Sequence, residues 1–418
     1  MRKKIFSLLL VFLLALSAVG FAACSDPGDP NGTDPDGSGQ GDGTETEEEW
    51  TVPEGSFTLS DRVMYVMDRG FATGANAAVS TTQWGVGGTD LGIPFYDEEL
   101  ERLYITFGDT FDTASMGGTW NSNATLYTDD LDFSQGIRWE GALEGMSPAA
   151  LQVTPITRNV SSRNGFGLTQ FDISAPDAVS TTIPTGTISL DGVYYMFYME
   201  VDAFSSTGEW NVYANRVVKS SDKGETWTRV TSLEWVALEP DGSQGAAPGF
   251  AQIFPLEAED GYVYIYGIPA GRSGGVQLGR VLKENFEDFE AYEYYYDKDA
   301  DGTVEWRKGS DGLRAIRGRD SSYIVPPSCG ELCVTYNPYL QRYTMYYLQN
   351  NSTIALRRSV NPWGDWSSSD SIVTQGQISG LYGAFTHPVM STHDGKRVYL
   401  LVSEWGAYNV HLLEVVYN

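Results

Sequence analysis

Histidine, cysteine and positive charge are all scarce in this chain of 418 residues. Its three histidines form no H-E-x-x-H pattern and no Ser-His-Asp order, and no phosphate-binding glycine loop is present. Of the three cysteines, only Cys329 and Cys333 lie beyond the N-terminal region. If Leu332 to Tyr336 forms a strand, their side chains stand ~13 Å apart, too far to bond without a turn, so free thiols are expected. Lysine and arginine number 27 against 55 acidic residues, a net charge of -28. That balance argues against nucleic acid or an anionic membrane surface as a partner. Sustained helical periodicity is hard to find after residue 50.

Strand formers fill the space instead. Tyr (25), Phe (18) and Trp (11) are abundant, with many Thr, Val and Ile, and Gly is plentiful. This composition favours an all-β domain of short strands and turns. Abundant aromatics on an acidic β protein suit a neutral polymer such as polysaccharide; they suit a large β core equally well.

The N-terminus reads as an address. Arg2, Lys3 and Lys4 precede an apolar run from Ile5 to Val19, too short for an ordinary membrane span. Gly20-Phe21-Ala22-Ala23-Cys24 follows and resembles a bacterial lipobox. The resemblance implies cleavage of residues 1–23 and lipidation of Cys24, which places the protein in a bacterial cell envelope, surface-exposed or periplasmic. Residues 24–52 form an acidic linker without core-building residues, extended by like-charge repulsion. The globular domain then covers 53–418.

The stretch from Trp84 to Asp112 organises that domain. It reads as two apolar strands joined by the acidic turn Asp97 to Glu101. Asp90 begins the first strand and Asp109 ends the second, so an antiparallel hairpin brings them to one edge. Two carboxylates on one rim, one protonated and one ionised, are what glycosidic hydrolysis needs. Two strand-end aspartates facing water are the plainer reading.

A related pattern of turn, aromatic strand and polar end recurs five times. The strands begin at Tyr104, Tyr195, Tyr264, Thr344 and Tyr399, each preceded by turn residues and an earlier strand. Those earlier strands begin near Asp90, Thr182, Ala251, Glu331 and His387. Five strand-turn-strand copies suggest a five-bladed β-propeller, with a β-sandwich as the alternative. Ser220-Ser-Asp222-Lys-Gly224-Glu-Thr226-Trp227 resembles the structural Asp-box hairpin of sialidase-like propellers. Phe57 to Asp68 is placed as an outer strand closing the ring with the final blade. In that register Asp90, Asp109, Glu200, Glu331, His387 and Glu404 gather at one funnel, where crowded like charges raise a pKa and supply a general acid.

Thr89-Asp-Leu-Gly-Ile-Pro94 and Leu103-Tyr-Ile-Thr-Phe-Gly-Asp-Thr-Phe111 resemble a known family, together with Asn361-Pro-Trp-Gly-Asp-Trp366 and Gly383-Ala-Phe-Thr-His-Pro388. The family is the one once called domain of unknown function 4185, placed among glycoside hydrolases as endo-D-arabinanases. The resemblance implies a five-bladed propeller, hydrolysis of a glycan such as mycobacterial-type arabinan, and two essential aspartates, carried here by Asp90 and Asp109. Glu200, His387 and Glu404 enter as substrate-binding candidates from the register argument alone. No cofactor is expected for catalysis, and a monomer is expected.

Asp297, Asp299, Asp301 and Glu305 match D-x-D-x-D-G-x-x-[D/E], a loop whose alternate oxygens wrap a hard cation. A structural calcium and a solvated acidic turn between two strands both remain open there. Arg272 and the cluster Arg314, Arg317 and Arg319 lack a motif. Beside the D-arabinanase stand two other readings: a propeller hydrolase of different linkage, L-arabinanase or sialidase-like, and a non-catalytic surface glycan-binding protein.

Overall fold

The computed structural model describes residues 50–143, 181–206, 209–239 and 241–418. The leader 1–23, Cys24 and nearly all of the linker lie outside the described residues.

Among the described residues the fold is all-β, with one short α-helix, α1 (Gly309–Ile316). β1 (Val63–Phe71) comes first. A first array follows: β2 (Leu91–Asp97), β3 (Arg102–Phe107), a ribbon of β4 (Thr110–Thr113) and β5 (Gly117–Asn121), then β6 (Ala124–Thr128) and β7 (Gly141–Ala142). The second array is β8 (Thr181–Leu190), β9 (Val193–Ser206), β10 (Glu209–Ser220) and β11 (Thr228–Val236). The third is β12 (Gln252–Glu257), β13 (Tyr262–Ile268), β14 (Gly274–Leu282), β15 (Glu293–Lys298) and β16 (Val304–Lys308). The fourth is β17 (Val325–Asn337), β18 (Arg342–Gln349), β19 (Thr353–Ser359) and β20 (Asp370–Thr374). The last is β21 (Leu381–Phe385), β22 (Ser391–Thr392), β23 (Arg397–Glu404) and β24 (Asn409–Tyr417).

Within each array the strands run antiparallel and in chain order, as hairpins require. β1 crosses from the front of the chain to pair with β24, so the last array is completed by the N-terminal strand. Hydrogen bonding does not divide the molecule into five separate sheets. β14 pairs with β17, at Gly274 with Cys329 and Val276 with Val325, and joins the third and fourth arrays into one nine-stranded sheet.

The core lies between the arrays. Phe95 and Tyr104 of the first pack against Tyr194, Met196 and Tyr198 of the second. Phe197 and Trp235 of the second meet Ile265, Tyr292 and Tyr294 around the third. Phe107 and Ile105 of the first meet Leu401 and Leu412 of the last. The first strands neighbour one another in the order β2, β8, β12, β17, β21 and back to β2. Each contributes buried aliphatic or aromatic side chains to the core.

The Ser220–Trp227 turn performs the structural role its pattern implied. Ser220 Oγ accepts from Gly224 N (2.9 Å), and Asp222 accepts from Thr226 N and Oγ1 (2.9 and 2.5 Å). Trp227 is buried beneath and donates to Gly224 O. Cys329 and Cys333 are free, buried thiols, each pushed up to about 12 chiefly by burial.

Candidate active site

Asp90 immediately precedes β2, and the backbone is bent just after it. Leu91 and Gly92 both adopt positive φ (67° and 93°), and the β2/β3 register slips between Leu91 and Ile93. Such a bulge breaks the strict alternation of faces and re-aims the side chain beside it. The strain at Leu91 is held by its N–H, which donates to Ser403 Oγ at 2.8 Å. A matching irregularity lies in β21, where Gly383 (φ 57°) accompanies a slip between Tyr382 and Ala384. The two bulges turn Asp90 and Tyr382 toward each other.

The short motifs of the hairpin have mechanical reasons. Gly108 N donates to Asp90 O at 3.1 Å, so the start of β2 lies against the end of β3. A Cβ at position 108 would stand 2.3 Å from Asp90 Oδ1, so only glycine leaves room for that carboxylate. Thr110 Oγ1 donates to Gly108 O (2.8 Å), and its single proton is thereby used. Thr89 is therefore the donor in the 2.8 Å bond between the two threonine hydroxyls. That bond ties the residue before Asp90 to the residue after Asp109.

The two carboxylates have different surroundings. Asp90 Oδ2 accepts from Tyr382 OH (2.8 Å) and Tyr408 OH (3.3 Å), while Oδ1 is buried without a hydrogen-bond partner. Burial, and then the adjacent charge of Asp109, push the Asp90 carboxyl up to about 7; Glu331 adds to the rise, and the tyrosines oppose it. Asp109 Oδ1 accepts from Trp120 Nε1 (2.9 Å) and Thr181 Oγ1 (2.7 Å). Two donors on one oxygen stabilise negative charge there. Asp90 is therefore the acid at this edge that is poised to hold a proton.

Glu331, a rim position in the sequence register, does reach this site. It is buried and held by Arg272, with Nη2 at 2.7 Å and Nε at 3.0 Å from Oε1. The Arg272 guanidinium lies 4.7 Å from the Tyr382 ring centre and 5.3 Å from that of Trp210. The cation beside the two aspartates is thus neutralised by a carboxylate of its own.

The remaining sequence candidates do not join this cluster. Glu200 is fully buried, and Arg216 Nε donates to its Oε2 at 2.8 Å. Arg216 also pairs with Glu234 (2.9 Å), so Glu200 belongs to a structural ion-pair chain. Glu404 ends β23 at the correct edge, but its Oε2 is bonded to His411 Nε2 (2.8 Å), whose Nδ1 faces Asp68 (2.9 Å). His387 lies at the other end of the molecule's inner strands, with its ring centre 6.2 Å from that of Tyr96. The expected start of a first strand near His387 is displaced: β21 has already ended at Phe385, and Leu381 is the residue opposite Glu404. His387 instead caps a short turn, its Nδ1 accepting from Val389 N. Burial pulls it down to about 4, so its imidazole is neutral.

Asp297, Asp299, Asp301 and Glu305 do lie on and beside the β15–β16 hairpin, yet they do not converge. Among the described residues no group of three or more acids, histidines and cysteines is arranged to hold a metal. Arg319 takes Asp297 (2.5 Å), Arg307 takes Glu305, and Asp299 and Asp301 both accept from Thr303 N.

Tyr382, Tyr408, Arg272, Trp120 and Thr181 are the site residues that sequence reasoning did not find. Tyr382 was within reach, because the rim rule applied to the true start of β21 points to it. Arg272 had no motif, and Tyr408 is supplied by the turn before β24.

Residues 76–414 match the family model described as "Domain of unknown function (DUF4185)". A curated relative is notoamide biosynthesis cluster protein J of Aspergillus sp. (strain MF297-2), 26% identical over 78% of this chain and 82% of its own. A solved Bacteroides ovatus protein provisionally described as a hydrolase shares the fold at a TM-score of 0.52, with 13% identity over 84% of this chain and 90% of that one. Glycoside hydrolases stand among the more distant structural neighbours. A xylan β-1,4-xylosidase from Bacillus halodurans C-125 aligns at a TM-score of 0.42 and 14% identity, over 79% of this chain and 53% of that chain.

Proposed function

The chain belongs to the DUF4185 family, and we propose that it is a lipid-anchored glycoside hydrolase that cleaves arabinofuranosidic linkages, most simply as an endo-D-arabinanase. The observation that carries this reading is the Asp90–Asp109 pair: two carboxylates from one bulged hairpin, one lifted to about 7 and the other bonded by two donors. Asp90 donates a proton to the leaving glycosidic oxygen as the bond to the anomeric carbon breaks. Asp109 either attacks that carbon or takes a proton from the water that does. Asp109 brings negative charge to the developing oxocarbenium ion; where it attacks, water deprotonated by Asp90 then breaks the glycosyl–Asp109 ester, and where it deprotonates water instead, Asp90 regains its proton from solvent.

The closed order of first strands, β2 through β21 and back, supports a five-bladed propeller, with the β14–β17 pairing as a seam between two blades. Arabinan as substrate is supported by the Thr89–Pro94 and Leu103–Phe111 motifs, whose Thr89, Gly108 and Thr110 build the acid pair. The anchor is supported by the basic start, apolar run and Cys24. The acidic linker then holds the domain off the membrane at the cell surface or in the periplasm.

The test is to assay release of oligosaccharides from mycobacterial arabinan and a panel of other glycans by the wild-type protein and by Asp109→Asn. Loss of roughly 10²–10⁴-fold in Asp109→Asn, with melting unchanged, is expected. Near-normal turnover in that variant removes Asp109 from the reacting pair. Binding without any product from the wild type points to a glycan-binding protein instead.

A further inference from the structure

Trp405 is the most exposed aromatic side chain among the described residues, at 56%. Exposed apolar side chains occur singly on any surface, so exposure alone means little. Three observations separate this one from that background. Its place is held: Trp405 N donates to Gly380 O at 3.0 Å, and a Cβ on Gly380 (φ 71°) would stand 3.2 Å from the Trp405 Cβ. Its neighbours are the two tyrosines that hydrogen-bond the acid: ring centres lie 6.3 Å from Tyr382 and 5.7 Å from Tyr408. Those contacts are inclined at 59° and 83°, so neither tyrosine covers the indole with a parallel ring. Glu404, the preceding residue, is fixed by His411, and Tyr408 ends the same turn. The indole is thus an exposed ring on a held turn, in ring contact with the two tyrosines that touch Asp90.

We infer that Trp405 forms a stacking subsite for one ring of a neutral glycan, adjoining the bond that Asp90 and Asp109 cleave; this rests on the glycosidase reading above. Sugar rings present an apolar C–H face that matches an indole surface. Neutrality follows from the charges around the site. Asp90 and Asp109 are both acidic, and the nearby Arg272 cation is already paired with Glu331. An acidic glycan meets the charge of this acid pair, and the one cation shown beside it among the described residues, Arg272, is already paired.

The experiment uses the soluble domain from residue 51 onward, a compact unit by itself, in the cleavage-silenced Asp109→Asn background. Arabinan oligosaccharides are titrated against that protein and its Trp405→Ala and Trp405→Phe derivatives by calorimetry. Trp405→Ala should bind about tenfold more weakly or worse, and Trp405→Phe should retain most of the affinity. Polygalacturonate should not compete. Hydroxyl-radical footprinting of the wild-type protein, read by mass spectrometry, should show Trp405 protected by oligosaccharide, a readout that needs no variant. Equal affinity in Trp405→Ala, or an unprotected Trp405 under saturating oligosaccharide, overturns the subsite while leaving the hydrolase intact. Competition by polygalacturonate overturns the neutral-glycan assignment. If the wild type neither binds nor cleaves any glycan, both readings fall together.

Discussion

An aspartate stands at each end of β2, and the two behave oppositely. Asp97, at the far end, is 1% exposed. Burial pushes its carboxyl up, but Lys223, Tyr194 and the Leu100 N–H pull harder, and the net value falls below the ordinary one. Its Oδ2 takes Lys223 Nζ at 2.8 Å, and its Oδ1 takes Glu99 N and Leu100 N at 2.9 and 2.8 Å. Asp90 has tyrosine hydroxyls, a neighbouring aspartate and a partnerless oxygen, and it rises to about 7. Around Asp97 lies a cavity of about 720 Å³, also lined by Lys223, Lys283 and His387. In that hollow Asp97 is paired with Lys223, Lys283 with Asp191 and Glu257, and the histidine is neutral. Paired charges give a cavity shape without a perturbed acid; an acid raised by burial and a like charge is the stronger candidate for proton transfer.

The sharpest way to break the comparison is to make the same change at both ends. Asp90→Asn should cost roughly 10²–10⁴-fold in turnover, because the proton donor is gone. Its melting temperature should hold or rise, since a buried carboxyl next to like charges has been relieved. Asp97→Asn should leave turnover near normal but lower stability by about 2 kcal/mol, the scale of hydrogen bonds to a buried charge. Turnover and thermal melting of the pair check this; equal loss of activity in both would erase the distinction.

A second separation comes from pH. Unfolded, the Asp90 carboxyl has its ordinary value of 3.8; folded, it stands at about 7. Between those values the folded protein holds a proton that the unfolded chain releases, so the stability Asp90 contributes declines as pH rises through this window. Asp97 has the opposite sign: its contribution is full above 3.8 and is lost on acidification below it. Denaturant titrations from pH 3 to 8, on wild type and Asp90→Asn, should show the declining slope only in the wild type. The turnover profile should fall on the basic side near pH 7, as the acid loses its proton.

The smallest expected effect is at Glu331. Glu331→Gln removes a charge that raises Asp90 and leaves the Arg272 cation unpaired nearby. Both changes favour ionised Asp90, so the basic limb of the turnover profile should move to lower pH. A limb that stays in place, or moves upward, would show that Glu331 does not act on Asp90.

Much of this site could be read locally. Asp90 and Asp109 are joined by one hairpin, and hairpin register follows from strand length and turn position. The Ser220–Trp227 turn was equally local, since each of its bonds spans at most four residues. The error at His387 had a physical source. In the other arrays the first and second strands are joined by a short turn. In the last one, residues 386–396 intervene, with a cap at His387 and the short strand β22. A strand start inferred backward from β23 therefore landed beyond the true strand. Glu200 and Glu404 were placed at plausible ends, but backbone register does not say which cation or imidazole will claim a side chain.

Residue order alone determined an all-β chain and an acid pair at one hairpin edge, because strand-forming composition and short turns act over a few residues. Which aspartate keeps its proton was decided only by the assembled arrays. Tyr382 and Tyr408 reach Asp90 from 292 and 318 positions away, and Glu331 brings its charge from the fourth array. Burial and Coulomb interaction depend on distance in space, and chain separation carries no record of that distance until the sheets are packed.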